Sequence, residues 1–344
     1  MRMATRRTVQ ALRLLTIVPL FILYVVTPSF AAVDPDHLAI IINRNDPDSE
    51  AIAHYYAQAR KIQPDNLFYV NLPVGTGAID AATFNREKSA LDAALPAHIQ
   101  FLALAWTQPF RVDCMGITAA FTLGFHKDFC ASGCMPTRAS PYFASTSAAP
   151  FTDLNLRPTM LLAGSNLTAV KALIDRGVAS DGTFPYNGDG YVLATNDSHR
   201  SIRAQSPLLT KNSSHLLRKT YRDYLQDTRN ILFYFTGSEQ VPMLSSNRFL
   251  PGAVGDHLTS FGGMLVGGSQ MSALRWLDAG ATGSYGTVVE PCNIPNKFPL
   301  PAAVRDFYQR GDSLIEAYWK SVQMPGQGVF VGEPLAAPFS RRRE

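Results

Sequence analysis

The sequence predicts an α/β protein with a mainly parallel sheet flanked by helices. Three apolar runs, at residues 231–235, 263–266 and 283–289, each end in small or polar residues, a pattern typical of buried strands. A helix-like segment at residues 271–279 separates the last two runs. Such alternation favours a parallel sheet, whose ligands bind in the crevice beyond the carboxyl ends of the strands. The pattern therefore predicts where a site lies, but it does not name a reaction.

The first half of the chain shows the same alternation. Its strands and helices are predicted to form a β-α-β-α-β unit, at residues 38–42, 50–61, 67–70, 82–94 and 100–105. Residues 106–158 break the pattern, because they are rich in Gly, Ser, Pro, Cys and Phe, and we expect an irregular insertion or long loop there. The alternation then resumes, with strands predicted at residues 159–163, 191–195 and 329–331 and helices at residues 166–177, 214–225 and 314–322.

The first 31 residues have the features of a secretory signal peptide. Four arginines lie at or before the start of an apolar stretch at residues 14–26, and Ser29-Phe30-Ala31 offers small residues for cleavage. A retained membrane anchor is the alternative, but a run of about 13 residues is shorter than the roughly 20 that a bilayer requires. Arg6-Arg7 leaves twin-arginine export open beside general secretion. We expect an exported protein, periplasmic or secreted, without stable membrane insertion after cleavage.

The rest of the chain, about 313 residues, suits one large domain or two packed α/β subdomains. The predicted units are an α/β subdomain at 32–105, the insertion at 106–158, a second α/β subdomain at 159–338 and a basic tail at 339–344. The whole chain has 31 Lys and Arg against 27 Asp and Glu, and the predicted signal peptide holds four of the arginines and no acid. The mature chain is then formally neutral, so its charge gives no reason to expect nucleic acid as a partner.

The four cysteines predict disulfide chemistry. Cys114, Cys130 and Cys134 lie close together in sequence, whereas Cys292 is distant. In an oxidising compartment we expect one bridge among the first three, with buried free thiols as the alternative. The spacing does not fit a zinc site, and no histidine pair lies nearby. No phosphate-binding, dinucleotide-binding or metalloprotease motif is present in the sequence, so we expect neither a cofactor nor a metal.

Three short motifs in the second half carry a resemblance to a known fold: Phe-Tyr-Phe-Thr-Gly-Ser at 233–238, Ala-Gly-Ala-Thr-Gly-Ser-Tyr-Gly-Thr at 279–287 and Val-Gly-Glu-Pro-Leu at 331–335. With the order of the predicted elements, they resemble the caspase-like α/β peptidases, in particular the gingipain-type cysteine peptidases. The resemblance implies a three-layer architecture. The family places its histidine where this chain has Gly237-Ser238-Glu239, and its cysteine where residues 255–268 contain none. Because a thiolate nucleophile needs both groups, the resemblance implies the fold without the chemistry.

Residues 60–67, 276–291 and 311–320 are similar to an uncharacterised family of exported bacterial proteins found beside exosortase-type sorting systems. This resemblance implies a companion of such a system. We therefore expect a non-catalytic caspase-like protein, accessory to envelope or extracellular-matrix protein sorting, with an unknown protein or envelope component as its partner. A hydrolase with a rebuilt site at the strand ends is the alternative, and a structural partner in envelope or matrix biogenesis is a third possibility.

Four residues are candidates for such a rebuilt catalytic site. Ser238 could be a nucleophile, with His257 as its base and Asp256 orienting the imidazole, loosely like a Ser-His-Asp arrangement. Cys292 could be a relocated nucleophile, with Glu290 and a distant histidine. The alternatives are turn and surface roles for the first three residues and a structural thiol for Cys292.

Ser269, Glu290, Arg200 and Arg203 are candidate ligand-binding residues. Ser269 precedes the helix predicted at 271–279, so it could cap that helix or contact an anion. Arg200 and Arg203 lie one helical turn apart and could clamp a carboxylate or phosphate. The alternative for the two arginines is a solvated helix start with local Asp–Arg pairs.

Overall fold

A computed structural model of the protein describes residues 33–207, 209 and 216–340, so the predicted signal peptide and the three arginines of the tail lie outside the described residues. The strands are β1 (Leu38–Asn43), β2 (Leu67–Val70), β3 (Ala78–Ile79), β4 (Phe101–Leu104), β5 (Arg111–Val112), β6 (Met115–Gly116), β7 (Thr159–Leu161), β8 (Asp189–Ala194), β9 (Arg218–Tyr221), β10 (Ile231–Gly237), β11 (Phe249–Leu258), β12 (Gly283–Thr287) and β13 (Gly328–Gly332). The α-helices are α1 (Pro47–Arg60), α2 (Ala81–Ala94), α3 (Ile117–Leu123), α4 (Pro150–Leu154), α5 (Leu167–Ser180), α6 (Leu274–Asp278), α7 (Pro301–Gln309) and α8 (Leu314–Ser321).

Ten strands form one sheet that includes both halves of the chain, in the order β2-β1-β4-β7-β13-β12-β11-β10-β8-β9. The strands from β2 to β7 are mutually parallel, as are those from β12 to β9. Strand β13 joins the two sets: it runs antiparallel to β12 and meets β7 at one pair, Val331 with Leu161. The predicted α/β class with a mainly parallel sheet is therefore confirmed.

Helices cover the sheet. Capping residues at their first turns favour these helices, and their apolar residues favour packing on the sheet. Asp46 and Asn166 cap α1 and α5, each accepting a hydrogen bond from a backbone amide in the first turn. These two helices pack together, and α5 also packs on β11. Helices α3 and α8 pack on β13, where the ring of Trp319 stacks on Phe330 at a centroid distance of 4.4 Å. Among the described residues, no helix is long and apolar enough to cross a membrane.

Three predictions for the second half are wrong. Residues 263–266 form a turn, and the strand lies earlier, as β11. Of the helix predicted at 214–225, the described part contains strand β9 at the edge of the sheet. The helix predicted at 271–279 is only α6, which begins at Leu274. The error at β11 arose because Pro251, Gly252, Asp256 and His257 interrupt its apolar pattern, although the strand is buried from Gly252 onward.

A buried ionic network joins the two halves of the chain. Arg60, the last residue of α1, directs its Nε to Oε1 of Glu333 at 3.0 Å. Tyr56 donates its hydroxyl to the same carboxylate, and Asp181 pairs with Arg60. Glu333 is fully buried and follows β13 directly. Since an unpaired charge in this position would be costly, the network fixes α1 against the end of β13.

Two disulfides hold the segment between β4 and β7. One joins Cys114 to Cys130, and the other joins Cys134 to Cys292 across 158 residues of sequence. The sequence predicts an irregular insertion here, but the segment contains four short elements, β5, β6, α3 and α4. The second disulfide fastens it to the loop after β12.

Candidate functional site

Asp256 and His257 are neighbours in sequence near the end of β11, but their side chains do not lie together. Successive side chains of a strand point to opposite faces of a sheet, so the two groups have different surroundings. Asp256 faces Arg203, with Oδ1 2.6 Å from Nη1, and His257 faces Trp276. Ser238, after β10, donates its hydroxyl to the carbonyl of Gln240. The structure thus does not assemble the Ser-His-Asp arrangement that the sequence suggested.

The imidazole of His257 has both ring nitrogens occupied. Nδ1 lies 2.9 Å from the indole nitrogen of Trp276, and Nε2 lies 2.9 Å from the carbonyl oxygen of Met271. An indole N–H only donates and a carbonyl only accepts, so the ring is neutral and carries its proton on Nε2. Burial lowers the pKa of His257 from 6.5 to about 4. A ring held in this way has no free nitrogen with which to accept a proton from a serine.

Arg203 is an internal structural residue in this arrangement. It is 3% exposed and donates to the carbonyls of Thr236 and Pro299, at 2.9 and 3.1 Å. Its partner Asp256 is fully buried, and burial raises the pKa of that carboxyl to about 6 even though the charge of Arg203 opposes the change. Removal of either partner would leave the other charge buried alone.

Arg200 does not act with Arg203 as a clamp. Its Nη1 lies 2.6 Å from Oδ2 of Asp197, whose Oδ1 accepts from the amide of Arg200 at 2.9 Å. A second carboxylate, of Glu239, lies 4.0 Å from Nη2. Arg200 thus has the local Asp–Arg pair that was the alternative to a clamp.

The remaining predicted site residues have structural partners or lie in the solvent. Ser269 is exposed in a bend and does not cap α6, so that prediction is wrong. The hydroxyl of Ser272 instead accepts from the amide of Leu274, at 3.2 Å. Glu290 accepts from the amide of Cys292 at 2.7 Å, and the sulphur of Cys292 is bonded to Cys134. Cys292 therefore offers no thiol in this structure, contrary to its role as a candidate nucleophile.

A cavity of about 500 Å³ opens at a different part of the same sheet, beyond the carboxyl ends of β1, β4 and β7. Strand β1 lies between β2 and β4 in the sheet. The chain leaves β1 towards β2 on one side and then returns past β1 to β4 on its other side. In open α/β sheets ligands bind at such a reversal of strand order. The cavity also has a volume common among small-molecule sites.

The cavity is lined by the loops that follow five strands, β1, β2, β4, β7 and β11, and by residues of three helices, α1, α5 and α6. Its polar lining residues are Asp46, Asp48, Thr107, Gln108, Ser165, Asn166, Ser272, Arg275 and Asp278. Its apolar lining residues are Ile52, Val74, Leu167, Val170, Leu265, Val266 and Leu274, with Gly75 and Gly164 completing the wall. The loops after β4, β7 and β11 meet here, so their strands end at one edge of the sheet.

Hydrogen bonds between the loops fix the cavity wall. Thr107 donates to the carbonyl of Gly164 at 3.1 Å, which joins the loops after β4 and β7. Ser165 donates to Oδ1 of Asp278 at 2.9 Å, which joins the start of α5 to the end of α6. Because these contacts need no ligand, the wall is already organised.

The sequence predicts the strands β1, β4 and β7, but it does not indicate that a cavity lies beyond their ends. The available signal was the β-α-β-α-β pattern of the first half, together with the polar residues that follow its strands. We located the site instead beside the motifs of the second half. Within the described residues, no group of three or more His, Cys, Asp or Glu side chains could hold a metal ion.

Comparison with solved structures finds distant similarity to gingipain structures. The complex of the pro- and mature domains of RgpB from Porphyromonas gingivalis matches with a TM-score of 0.46 and 10% identity, covering 88% of this chain and 79% of that chain. The Arg-specific cysteine proteinase gingipain R matches with a TM-score of 0.46 and 11% identity, covering 90% and 80%. No protein-family model matches the sequence, and comparison with curated proteins gives no significant match. At these values the similarity concerns the fold and assigns no activity.

Proposed function

We propose that this chain is an exported, non-catalytic binding protein that uses its α/β scaffold to hold a ligand at the cavity beyond β1, β4 and β7. One observation carries the proposal: the cavity has the size, position and mixed lining of a ligand site, and its described lining contains no cysteine or histidine. A site whose polar side chains are held by hydrogen bonds, and whose lining has no thiol or imidazole, is suited to the recognition of a ligand.

The alternative, a hydrolase with a rebuilt site, has less support. Its base would be His257, whose two nitrogens are already bonded to Trp276 and Met271. Its sulphur nucleophile would be Cys292, which is in a disulfide. Catalysis would require these contacts to be replaced before any proton transfer could occur.

Export and partnership complete the proposal. The arginines and apolar run of residues 1–31 support secretion, and two disulfides are typical of proteins that fold in an oxidising compartment. We propose an envelope or matrix component as the partner, in keeping with the resemblance to proteins found beside exosortase-type sorting systems. In vivo crosslinking, compared between cells with and without such a system, tests this part.

The central experiment treats the purified, oxidised protein with casein, fluorogenic peptides and esters, and with thiol-directed and serine-directed probes. We expect no turnover above buffer and no stoichiometric labelling. Turnover that is lost in Ser238→Ala or His257→Gln, while the variant remains folded, would contradict the proposal and establish the hydrolase. Labelling at Ser238, Ser269 or Cys292 would do the same.

A further inference from the structure

The charges that line the cavity are mostly negative. The lining includes three carboxylates, of Asp46, Asp48 and Asp278, and one guanidinium, of Arg275. Asp46 accepts from the amide of Asp48 at 3.0 Å, and Asp278 accepts from Ser165 at 2.9 Å. In the described part of the chain none of these four groups has an ion-pair partner within 4 Å. The charges of the lining are therefore not neutralised by direct ion pairs, and their excess is negative.

The helix that passes behind Asp278 does not cancel this excess by direct contact. Arg176 of α5 lies nearby, but its Nη2 donates to the carbonyls of Leu277 and Ala281, at 3.1 and 2.7 Å. The first carbonyl belongs to the last turn of α6 and the second follows the helix, a place where a cation is favourable. The guanidinium also interacts electrostatically with Asp278, so the cavity has three carboxylates against two guanidinium groups and keeps a negative excess.

The mouth of the cavity is aliphatic. Val74 and Val266 are 51% and 49% exposed, although residues of this type are usually buried. Both line the cavity, from the loops after β2 and β11, and each precedes a glycine with a positive φ, Gly75 and Gly267. Exposed aliphatic groups beside unpaired carboxylates are complementary to a ligand that combines a hydrocarbon stem with a cationic head.

We propose that the cavity binds an organic cation, namely a primary ammonium group on a short aliphatic stem. This inference rests on the proposed function, because it names the class of ligand for the same site. The negative charges of Asp46, Asp48 and Asp278 in the lining favour the ammonium, and the stem packs against Val74 and Val266. A free alkylamine and a lysine side chain of a partner protein share this chemistry.

The test compares three probes of one shape by isothermal titration calorimetry with the full mature, oxidised protein at pH 7. The probes are n-pentylamine, pentan-1-ol and pentanoate, which have five carbons each and carry a positive, a neutral and a negative head group. We expect pentylamine to bind at least about tenfold more tightly than the alcohol, with no detectable binding of pentanoate. Equal binding of all three probes, tighter binding of pentanoate, or no binding of pentylamine would overturn the inference.

Two variants locate the binding without disturbing the fold. Asp46→Asn removes a charge but keeps a good helix cap, and Asp278→Asn keeps the acceptor for Ser165. We expect each to weaken pentylamine about two- to fivefold, as for partly exposed ion pairs. Asp65→Asn makes the same charge change at an exposed site outside the cavity and should have no effect. An equal loss in all three variants would show a general charge effect and contradict the site.

Further measurements distinguish a free amine from a lysine side chain as the ligand. They also distinguish failure of the cation inference from failure of the proposed function. Tighter binding of Nα-acetyl-lysine methylamide than of pentylamine would support a lysine side chain as the ligand, and the reverse order would support a free amine. If pentanoate binds and Asp46→Asn strengthens it, the cavity is a ligand site and the cation inference alone fails. If the assays for turnover and labelling are positive, the proposed non-catalytic function fails whichever probe binds.

Discussion

The indole N–H of Trp276 donates to Nδ1 of His257 over 2.9 Å and thereby connects α6 to the end of β11. Both side chains are fully buried, and the indole ring also meets Tyr234 edge to face at a centroid distance of 4.9 Å. The histidine is therefore part of a packed internal contact. Its main measurable effect should be on stability as pH changes.

We predict that His257 makes the protein less stable in mild acid. Its pKa falls from 6.5 to about 4 in the folded state, so the unfolded chain binds an extra proton below pH 6.5. Stability from this residue is complete above pH 6.5 and declines as pH falls towards 4. Relative to His257→Gln, whose neutral amide can replace both hydrogen bonds, the protein should lose about 2 kcal/mol between pH 7 and pH 5. Urea unfolding at the two pH values measures the difference.

The comparison with His257→Gln removes the contribution of Asp256, whose raised pKa acts with the opposite sign. A group whose pKa is raised in the folded state contributes less to stability as pH rises. This decrease is common to the wild-type protein and the His257→Gln variant. An identical pH dependence for the two proteins would contradict the buried neutral imidazole.

Glu333→Gln should destabilise the protein by about 3–5 kcal/mol. The change removes the buried carboxylate that pairs with Arg60, whose side chain remains buried and keeps Asp181 as its other partner. Chemical denaturation at pH 7 measures the effect. Glu50→Gln makes the same chemical change at an exposed site on α1, the helix that ends at Arg60. It should cost less than about 0.5 kcal/mol. Similar costs for the two variants would mean that the Arg60–Glu333 pair does not stabilise the fold.

The two disulfides should differ in their contribution to stability. A chain-entropy treatment gives about 5 kcal/mol for a loop of 158 residues and about 3 kcal/mol for one of 16. We therefore expect the double variant Cys134→Ser/Cys292→Ser to unfold at lower denaturant than Cys114→Ser/Cys130→Ser. Mass spectrometry of non-reduced peptides should identify both linkages, and any other pairing would contradict this structure.

Gly286→Ala should prevent correct folding or cost more than about 4 kcal/mol. A Cβ at this position in β12 would lie 2.2 Å from the carbonyl carbon of Gly262, so the backbone of the neighbouring loop would have to move. Gly133→Asn is the matched control, because Gly133 has φ +53 and open space around it. Soluble yield and thermal unfolding compare the variants, and equal stability would contradict the close approach of the two segments.

The fold of the first half could be predicted from sequence because its elements are single apolar runs with local boundaries. Helix α1 begins at Pro47, directly after its capping residue Asp46, and ends at Arg60, before Lys61, which has φ 57. Strand β11 could not be found in this way. Its buried Asp256 and His257 are compatible with the core only because Arg203 and Trp276 meet them, and those partners come from distant parts of the chain.

The site was less predictable than the fold, and the reason is the order of strands in space. Chain order alone does not show that β1 lies between β2 and β4, so the position of the reversal was not available. The pairing of Cys134 with Cys292 was equally inaccessible, since the two residues are 158 positions apart. The polar residues of the cavity carry no sequence motif and gain their meaning only from proximity.

The contact between Arg60 and Glu333 also has a consequence for the order of events as the chain acquires its structure. These residues are 273 positions apart, so the ionic network of Arg60 is not complete until the strand before Glu333 has been made and has docked, although Asp181 comes earlier in the chain. Contacts of this range slow the search for the native state. A polypeptide arranged in this way completes its internal charge pairing only after nearly the whole chain has been synthesised.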